Sequence, residues 1–142
     1  MCRVLVRSIT ELCTTDHKND PRHLSSWTEN KTPDGLSAWF DNSNFEMRLS
    51  LAGDKIAAVG GFSVNGRIDL LYVDPDARGG GHSASLLRAM ERELAQRGVT
   101  VAELTSTNTA LAFYKKHGWN VVGDPIACHT VSGHPLQKNL AP

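Results

Sequence analysis

Apolar and polar positions follow two different patterns along the chain. In the N-terminal third the apolar positions are sparse, and they predict a short strand over Cys2 to Arg7 and a weakly amphipathic helix over Ile9 to Asn19. Thr32-Pro33-Asp34 has the form of an N-cap followed by proline at the first helical position. It predicts a second helix, with the apolar side chains Leu36, Trp39 and Phe40.

From Phe45 onward the pattern is typical of strands separated by tight turns. Phe45 to Leu51 alternates between apolar and polar residues, and Ile56 to Val64 is an apolar run. Asn65-Gly66 follows this run and is the strongest hairpin signal in the chain. We therefore expect a third strand, Arg67 to Val73, to pair antiparallel with Ile56 to Val64 and to lead into a run of glycines.

A helix and a parallel strand follow the glycines. Val99 to Leu104 is the strand, and because it returns after a helix we expect it to lie parallel to Arg67 to Val73. The helix ends at Gly98, which is suited to a C-terminal cap, and its apolar positions at helical spacing are Leu86, Leu87, Met90 and Leu94. The last predicted elements are a helix over Ser106 to His117 and strands over Trp119 to Val122 and over Thr130 to Leu140, the latter around a Ser132-Gly133 turn.

Length and composition restrict the class of protein. A chain of 142 residues with 40% hydrophobic content is long enough for one core, so we expect a single domain over residues 1–142. The 15 basic and 15 acidic residues cancel, and no run of like charges indicates a nucleic-acid partner. A small molecule is the expected ligand.

Cysteine usage and hydropathy favour a soluble protein of a reducing compartment. Cys2, Cys13 and Cys128 are odd in number and lack C-x-x-C spacing, which argues against a disulfide framework and against a zinc site. The sequence has no stretch of about 18 apolar residues, the length needed to span a membrane. We therefore expect a cytoplasmic protein without a membrane partner.

The three consecutive glycines, Gly79 to Gly81, are the main candidate for chemistry. Glycine lets backbone N–H groups approach an anion closely, and the following helix start adds unpaired donors and the positive end of a dipole. A nucleotide P-loop is excluded because His82-Ser83, instead of lysine and Ser/Thr, follow the last glycine. A dinucleotide fingerprint matches the glycines formally, but its acidic residue, Glu103, falls inside a strand, and the upstream strand belongs to an antiparallel hairpin.

Two blocks of the sequence resemble the GNAT-type N-acetyltransferase superfamily. Arg78-Gly79-Gly80-Gly81-His82-Ser83 resembles its acetyl-CoA-binding motif, (Arg/Gln)-x-x-Gly-x-(Gly/Ala), with Ser83 at the last position. Thr107 to Trp119 resembles its later motif, Asn-x-x-Ala-x-x-(Phe/Leu)-Tyr-x-x-x-Gly-(Phe/Trp/Tyr), with Thr107 at the asparagine position. The resemblance covers about Ile56 to Val122. It implies an α/β (α+β) fold, with a mixed, mostly antiparallel twisted sheet of about six to seven strands flanked by about four helices.

The resemblance also implies an activity. Acetyl-CoA is the expected co-substrate, no metal is expected, and the acetyl group passes directly to a small-molecule or peptide amine of unknown identity. A homodimer is compatible with this assignment. The alternative is a non-catalytic acyl-CoA-binding or regulatory module, which keeps the glycine turn but has no use for Tyr114.

The resemblance implies that acetyl-CoA is bound by the end of the third strand, the glycine turn and the start of the last predicted helix. Backbone groups of Leu71 and Val73 are expected to pair with the pantetheine amides as an added strand would, and the N–H groups of the glycine turn to hold the pyrophosphate. Either Thr107 or Asn108 supplies a polar contact to the cofactor, or both residues serve only as caps of the helix. The full set is Leu71, Tyr72, Val73, Arg78, Gly79, Gly80, Gly81, His82, Ser83, Ala84, Thr107 and Asn108.

Tyr114 is the catalytic residue that the resemblance implies, as general acid or thiolate stabiliser. After a neutral amine attacks the thioester, the departing thiolate has to be stabilised or protonated, and the family has this tyrosine beside the sulfur. The general base is left open between Glu46, Asp69, Glu103 and a water molecule. Glu103 is one residue out of the register of the glutamate that some relatives carry.

Five further residues have a structural as well as a functional interpretation. Arg78 is either a phosphate contact or a solvated turn residue, and His82 is either a phosphate contact or a partly buried histidine at a helix start. Trp39 and Phe40 are expected to pack in the core. Trp27, expected in a loop, is a candidate for the wall of the acceptor pocket.

Overall fold

Helices dominate the first part of the chain and strands the second in the structure, a computed structural model that describes residues 1–128 and 131–140. The α-helices are α1 (Cys2–Leu12), α2 (Thr14–His17), α3 (Pro21–Thr28), α4 (Pro33–Phe40), α5 (His82–Gln96) and α6 (Leu111–Lys116). The strands are β1 (Phe45–Ala52), β2 (Lys55–Ser63), β3 (Arg67–Val73), β4 (Val101–Ser106), β5 (Asn120–Val121), β6 (Ile126–Cys128) and β7 (Val131–Asn139). A 3-10 turn, Pro75–Ala77, precedes the glycines.

The strands form a mixed sheet in the order β1-β2-β3-β4-β7-β5, and β6 pairs with β7. Within the described residues every pair is antiparallel except β3 with β4. This confirms the predicted mixed, mostly antiparallel sheet and the parallel return after the long helix. The Asn65-Gly66 hairpin between β2 and β3 is also confirmed, and Gly66 takes the positive φ of 123° that its turn requires.

Both faces of the sheet are covered by helices. On one face α5 buries the apolar side chains predicted for it, which are Leu86, Leu87, Met90 and Leu94. On the other face Val4 and Leu5 of α1 pack with Leu36 of α4 against Val59 of β2. Each fully buried aliphatic side chain contributes roughly 1.5–3 kcal/mol. The sheet is therefore held rigidly between two apolar layers.

The N-terminal strand prediction was wrong, because Cys2 to Arg7 lies in α1. The buried positions of this segment are Val4, Leu5, Ser8 and Ile9, which recur at helical spacing. The apolar triplet Val4-Leu5-Val6 has the composition of a strand, but a helix directs a continuous apolar stripe to the sheet. The predicted helix over Ile9 to Asn19 is divided between α1 and α2 at Cys13.

Two predictions about aromatic residues were also wrong. Trp27 lies in helix α3, not in a loop, and is only 3% exposed. Phe40 is 58% exposed instead of packing in the core. In α4 both Trp39 and Phe40 are at helical spacing from Leu36, and Trp39 takes the inward position against Phe45 at a ring-centroid distance of 6.0 Å.

Two boundaries differ from the prediction near the C-terminus. The helix predicted over Ser106 to His117 is limited to α6, because Ser106 completes β4. The predicted turn at Ser132-Gly133 was wrong, since both residues continue β7 and pair with Ala127 and Ile126 of β6. Thr130 lies outside the described residues. Within the described part of the chain, no helix is both long and apolar enough to cross a membrane.

Candidate active site

The sheet opens between β3 and β4. These two strands pair only at Arg67 with Glu103 and at Ile68 with Leu104, and beyond Ile68 they diverge. At the same point the β2–β3 register passes from Phe62↔Ile68 to Gly61↔Leu70, so Asp69 is an extra residue in β3. Such a bulge bends a strand and redirects its side chains. The sequence therefore opens a gap in the middle of the sheet.

Backbone groups of β3 line this gap. The Asp74 N–H donates to the Ala57 carbonyl on the β2 side at 2.7 Å. Because successive residues of a strand direct their N–H and C=O groups to opposite edges, those of Leu71 and Val73 point to the β4 side. There β4 has already diverged and no longer pairs with β3. Both residues are thus available to pair with an extended ligand.

The glycine turn leaves backbone N–H groups accessible at the start of α5, and this segment is referred to as the cradle. Gly79 and Gly81 have φ of 82° and 78°, which L side chains rarely adopt. Gly81 is the N-cap of α5, and no side chain caps the helix. The N–H groups of the first turn therefore have no intrahelical acceptor, and the residues that carry them, His82, Ser83 and Ala84, line a cavity.

This cavity, of about 480 Å³, is referred to as the main cavity. It connects β3, the glycine turn and α6, and within the described residues its lining contains no Asp or Glu. Its basic and imidazole side chains are Arg78, His82, Lys116 and His117. In a chain with a formal net charge of zero, this asymmetry favours an anionic ligand. Of the residues expected to bind acetyl-CoA, Gly80 and Asn108 are not part of the lining.

His82 connects the glycine turn to β1. Its Nδ1 lies 2.7 Å from Ser50 Oγ, and the ring edge is close to Gly80, where an added Cβ would be 3.0 Å from the imidazole Cδ2. The ring is partly buried and also lines the main cavity. The imidazole thus fixes the turn and faces the ligand space.

Tyr114 lines the main cavity and also a second, smaller one. The smaller cavity, of about 50 Å³, is formed by β3 and the end of β4, and Tyr114 lines both. The residue is 6% exposed, and burial raises the pKa of the Tyr114 phenol well above its ordinary value. Among the described residues no group is hydrogen-bonded to the phenol oxygen. The phenol is therefore a protonated donor that has no acceptor among these residues.

The three candidate bases lie in different places. Asp69 lines the smaller cavity, accepts a hydrogen bond from Ser63 Oγ at 2.6 Å and pairs with Arg67 at 3.4 Å. Glu103 lines neither cavity and is 3.9 Å from Arg67. Glu46 is engaged by Arg48 and Arg97, away from the gap. The structure thus brings only Asp69 of the three into the lining of the gap.

The turn before α6 is capped from two directions. Thr107 Oγ1 accepts the Ala110 N–H at 3.1 Å, and Thr107 also lines the main cavity. Asp16, in α2, accepts the N–H groups of Asn108 at 2.7 Å and Thr109 at 3.0 Å. The Asn108 side chain contacts His134 at 2.6 Å. Asp16 was not predicted as part of this region, because it is separated from its hydrogen-bond partners by more than ninety residues in sequence.

Helix α1 forms a wall of the main cavity that the sequence analysis did not anticipate. Ser8, Leu12 and Cys13 line it. Burial, together with the nearby Asp16 carboxylate, raises the pKa of the Cys13 thiol to about 12. Arg7 holds this helix to the segment before the glycines through Asp74 at 3.0 Å. The helical periodicity of Val4 to Ile9 was the signal that could have revealed this wall.

Trp27 lies behind the main cavity. Its Nε1 donates to the Tyr72 hydroxyl at 3.3 Å, and Tyr72 lines both cavities. The indole therefore orients a cavity side chain without lining either cavity itself. Within residues 1–128 and 131–140, no group of three His, Cys, Asp or Glu side chains is arranged to hold a metal ion.

Comparisons with known proteins agree with this architecture. A GCN5-related N-acetyltransferase from Rhodopseudomonas palustris superposes with a TM-score of 0.85 at 18% identity, covering 97% of this chain and 86% of the other. PaiA N-acetyltransferase from Thermoplasma acidophilum, in complex with coenzyme A, gives 0.75 at 15%, covering 97% and 92%. An aminoglycoside 6'-N-acetyltransferase complexed with coenzyme A gives 0.68 at 14%, covering 96% and 91%. These similarities concern the fold.

The family assignment comes from the sequence. No curated protein sequence is significantly similar to the chain. The profile of the acetyltransferase (GNAT) domain, however, matches residues 14–140, which include the opened sheet, the glycine turn and the tyrosine helix. The chain therefore belongs to the GNAT acetyltransferase family.

Proposed function

We propose that the protein is an N-acetyltransferase that moves the acetyl group of acetyl-CoA directly to an amine. The observation that carries this proposal is that Tyr114 lines two chemically different cavities. The main cavity has basic side chains and no carboxylate among its described lining residues, whereas the smaller one contains Asp69. A polyanionic donor and an amine acceptor thus have separate routes to one phenol.

The residues present fit acetyl-CoA. The open-edge backbone of Leu71 and Val73 suits the pantetheine amides, which can pair with it as an added strand. The cradle from Gly79 to Ala84 suits the pyrophosphate, because the N–H groups at the start of α5 have no side-chain cap and the helix dipole favours negative charge there. Arg78 adds a cation that has no ion-pair partner among the described residues.

Acetyl-CoA supplies an activated acyl group when bound. The amine nitrogen attacks the thioester carbon, a C–N bond forms, the C–S bond breaks, and the electron pair remains on sulfur. The Tyr114 phenol donates a hydrogen bond to the negatively charged sulfur. Because the pKa of its phenol is raised by burial, full proton transfer to a thiolate, whose ordinary pKa is about 8.5, is uphill. Hydrogen-bond stabilisation is therefore the larger part of its role.

Asp69 is the proposed acceptor of the amine proton. An alkyl ammonium, with a pKa of about 10, has to lose a proton before the amine nitrogen can attack. Asp69 lines the smaller cavity beside Tyr114 and Thr105, and its negative charge also favours binding of a cationic amine. Glu46 and Glu103 are outside both cavities. A water molecule held by Asp69 remains compatible with this arrangement.

Direct transfer is favoured over a cysteine-linked intermediate. Cys13 is the cysteine among the described lining residues of the main cavity. With its pKa raised to about 12, the thiol is almost entirely protonated at neutral pH. Since the thiolate is the nucleophilic form, Cys13 is poorly suited to accept the acetyl group.

The test measures free thiol released from acetyl-CoA with a broad panel of amines, alongside the melting temperature with coenzyme A and with NAD. We expect stabilisation by coenzyme A, none by NAD, and thiol release with at least one amine. Stabilisation by coenzyme A without any turnover would favour the non-catalytic binding module instead. Stabilisation by NAD alone would exclude an acetyl-CoA-dependent function.

A further inference from the structure

The sheet has an open edge at β1. In the strand order β1-β2-β3-β4-β7-β5, β1 is the first strand, and within the described residues it pairs only with β2. Its regular pairing covers residues 45–50 and ends at a register shift between Ser50 and Leu51. Edge strands that stay unpaired commonly carry lysine or proline, which discourage pairing with another chain. β1 contains neither residue type, so its edge is open to a further strand.

The backbone groups of Met47 and Leu49 point to this open edge. On the β2 side, the Asn44 carbonyl accepts the N–H of the residue after β2 at 2.8 Å. Because successive residues of a strand direct their N–H and C=O groups to opposite edges, those of Phe45, Met47 and Leu49 point away from β2. The Phe45 N–H donates to the Asn42 carbonyl at 3.1 Å, within its own chain. The remaining outward groups are available to a second strand.

Exposed apolar side chains accompany this edge. Leu49 is 44% exposed, and it pairs with Val59, which is buried under α1 and α4. Since paired residues share one face of a sheet, Leu49 lies on the face that these helices cover elsewhere. Phe40, 58% exposed, ends α4 directly after Trp39, whose ring packs on that of Phe45. Apolar surface is therefore exposed towards both ends of the strand.

We propose that β1 pairs antiparallel with β1 of a second copy of the chain, so that the two sheets form one continuous sheet in a homodimer. The two-fold axis passes beside Met47, which lies opposite Met47 of the second copy. This inference goes beyond the proposed function and is independent of it, because no residue of β1 lines the main or the smaller cavity.

The backbone groups at the open edge match this register. About an axis at Met47, the Met47 N–H donates to the Met47 carbonyl of the second copy, and the Leu49 N–H donates to the Phe45 carbonyl of the second copy. Symmetry repeats each bond. The Phe45 N–H needs no partner across the axis, because the Asn42 carbonyl already accepts it. The Met47 carbonyl accepts from Arg48 Nη1 at 2.8 Å and has a second lone pair for the bond between the copies.

Charge complementarity favours the same register. About Met47, Glu46 lies opposite Arg48 of the second copy, and an opposite-charge pair in this position stabilises a sheet. With the axis at Arg48, two guanidinium groups would lie opposite each other, which is destabilising. With the axis at Leu49, the pairing would extend to Leu51, beyond the regular part of β1. Glu46 and Arg48 already pair with each other at 3.0 Å, so dimerisation orders little that is mobile.

The same register also covers the exposed apolar side chains. Phe45 lies opposite Leu49 of the second copy, on the face of the sheet that carries α1 and α4. Phe40 is at the Phe45 end of the strand, so the exposed leucine of one copy is directed to the exposed phenylalanine of the other. Hydrogen bonds, charges and apolar contacts thus favour one and the same occupant.

The first experiment is sedimentation velocity of the ligand-free chain from about 1 to 200 µM, with a dimer Kd of about 1–100 µM expected for a small interface. Leu49→Lys should weaken the dimer at least about tenfold, because it introduces a charge into the pairing strand. Val121→Lys is the matched control. Val121 is 43% exposed and lies in β5, at the opposite end of the strand order, so this variant should dimerise as the wild type does. Melting temperatures at low concentration check that both variants fold.

Cysteine crosslinking tests the register. Under mild oxidation Met47→Cys should give a disulfide-linked dimer, because residues directly opposite each other have Cα atoms about 5.5 Å apart, within disulfide range. Leu49→Cys should give none, because the two copies of position 49 are separated by four residues, about 13 Å along the strands. The wild type, with the same native cysteines, is the control.

Three results overturn the inference. A wild type that stays monomeric over the whole concentration range excludes the dimer. Loss of the dimer in Val121→Lys, with its retention in Leu49→Lys, assigns the interface to the β5 edge instead. A crosslink in Leu49→Cys but not in Met47→Cys excludes the register about Met47. Since no ligand is present in these experiments, each result leaves the proposed acetyl transfer unaffected.

Discussion

The carboxylate of Asp16 caps the start of α6 from another helix: its Oδ2 accepts the Thr109 backbone N–H at 3.0 Å and the Thr109 hydroxyl at 2.5 Å. Asp16 is 6% exposed, and its other oxygen accepts the Asn108 N–H. The α6 helix carries Tyr114, and the turn before it lines the main cavity. A buried acid in α2 therefore positions the helix that carries Tyr114, the proposed catalytic residue, and does not itself line the main cavity.

Replacing Asp16 with alanine should affect stability and turnover together. Asp16→Ala leaves two backbone N–H groups and a hydroxyl without their acceptor, at a cost of about 2–3 kcal/mol in the free energy of unfolding. We expect kcat to fall more than the affinity for coenzyme A, because the helix that carries Tyr114 loses its anchor while the glycine turn is unchanged. Urea denaturation, steady-state kinetics and a binding titration measure the three quantities.

Asp20→Ala is the matched control. Asp20 is the N-cap of α3, where its side chain accepts the Arg22 N–H at 2.9 Å, and among the described residues its side chain forms no hydrogen bond or ion pair with α6. Loss of this cap should cost about 1 kcal/mol and leave kcat unchanged. An equal fall in kcat for both aspartate variants would assign the effect to general destabilisation rather than to positioning of Tyr114.

The elements that sequence analysis predicted are those with a local cause. Asn65-Gly66 specifies its own turn, and the apolar stripe from Leu86 to Leu94 specifies a helix of defined face. The glycine turn and the tyrosine helix were recognisable because each is a short contiguous motif. These segments account for β2, β3, α5 and much of the lining of the main cavity.

The parts that were missed depend on contacts between distant segments. Cys2 to Arg7 was predicted as a strand, but it belongs to α1, whose Val4 and Leu5 pack against Val59 of β2. The contribution of Ser8 and Leu12 of this helix to the main cavity went unpredicted for the same reason. Asp16 carries no local sign of its partners, which are 92 and 93 residues away.

Tyr114→Phe should reduce kcat by about 100-fold while leaving the affinity for coenzyme A unchanged. The phenol oxygen has no hydrogen-bond partner among the described residues, so its removal should not affect folding. Tyr72→Phe is the control, since this second phenol also lines both cavities but already accepts from Trp27. Full turnover in Tyr114→Phe, with loss in Tyr72→Phe, would transfer the catalytic role to Tyr72.

The pH dependence of turnover follows from the direction of the Tyr114 pKa shift. Burial raises this pKa above the ordinary value of 10, so the phenol keeps its proton throughout the neutral and mildly basic range. With saturating amine, kcat should therefore rise with pH as the ammonium loses its proton. At pH values up to about 10, kcat should show no decrease. A falling limb centred at about pH 10 or below, absent in Tyr114→Phe, would show that burial does not raise the pKa of this phenol.

Cys13→Ala should leave turnover within about twofold of the wild type, because a thiol with a pKa of about 12 is not a nucleophile at neutral pH. The loss of a small buried side chain should cost about 1 kcal/mol in stability. Double-reciprocal plots of the initial rate against acetyl-CoA concentration, at several amine concentrations, should give intersecting lines, as expected for a ternary complex. Parallel lines, together with an acetyl adduct on Cys13 in the mass spectrum, would instead show a covalent intermediate. Cys2→Ala, at a half-buried cysteine outside the cavity, controls for loss of a thiol.

Gly81→Ala should separate the function of the glycine turn from its backbone strain. Gly81 has φ of 78° and Gly53, in the turn between β1 and β2, has φ of 66°, and an added Cβ meets no atom within 4 Å at either position. Alanine should therefore cost about 1–2 kcal/mol of stability in both variants, as an L-residue forced into the left-handed region.

Only Gly81→Ala puts a methyl group on the lining of the main cavity, at the N-cap of α5. We expect it to weaken coenzyme A binding about tenfold in a calorimetric titration, since the pyrophosphate has to approach the backbone closely, while Gly53→Ala binds as the wild type does. Equal affinities in the two variants would mean that the cradle at Gly81 does not contact the ligand.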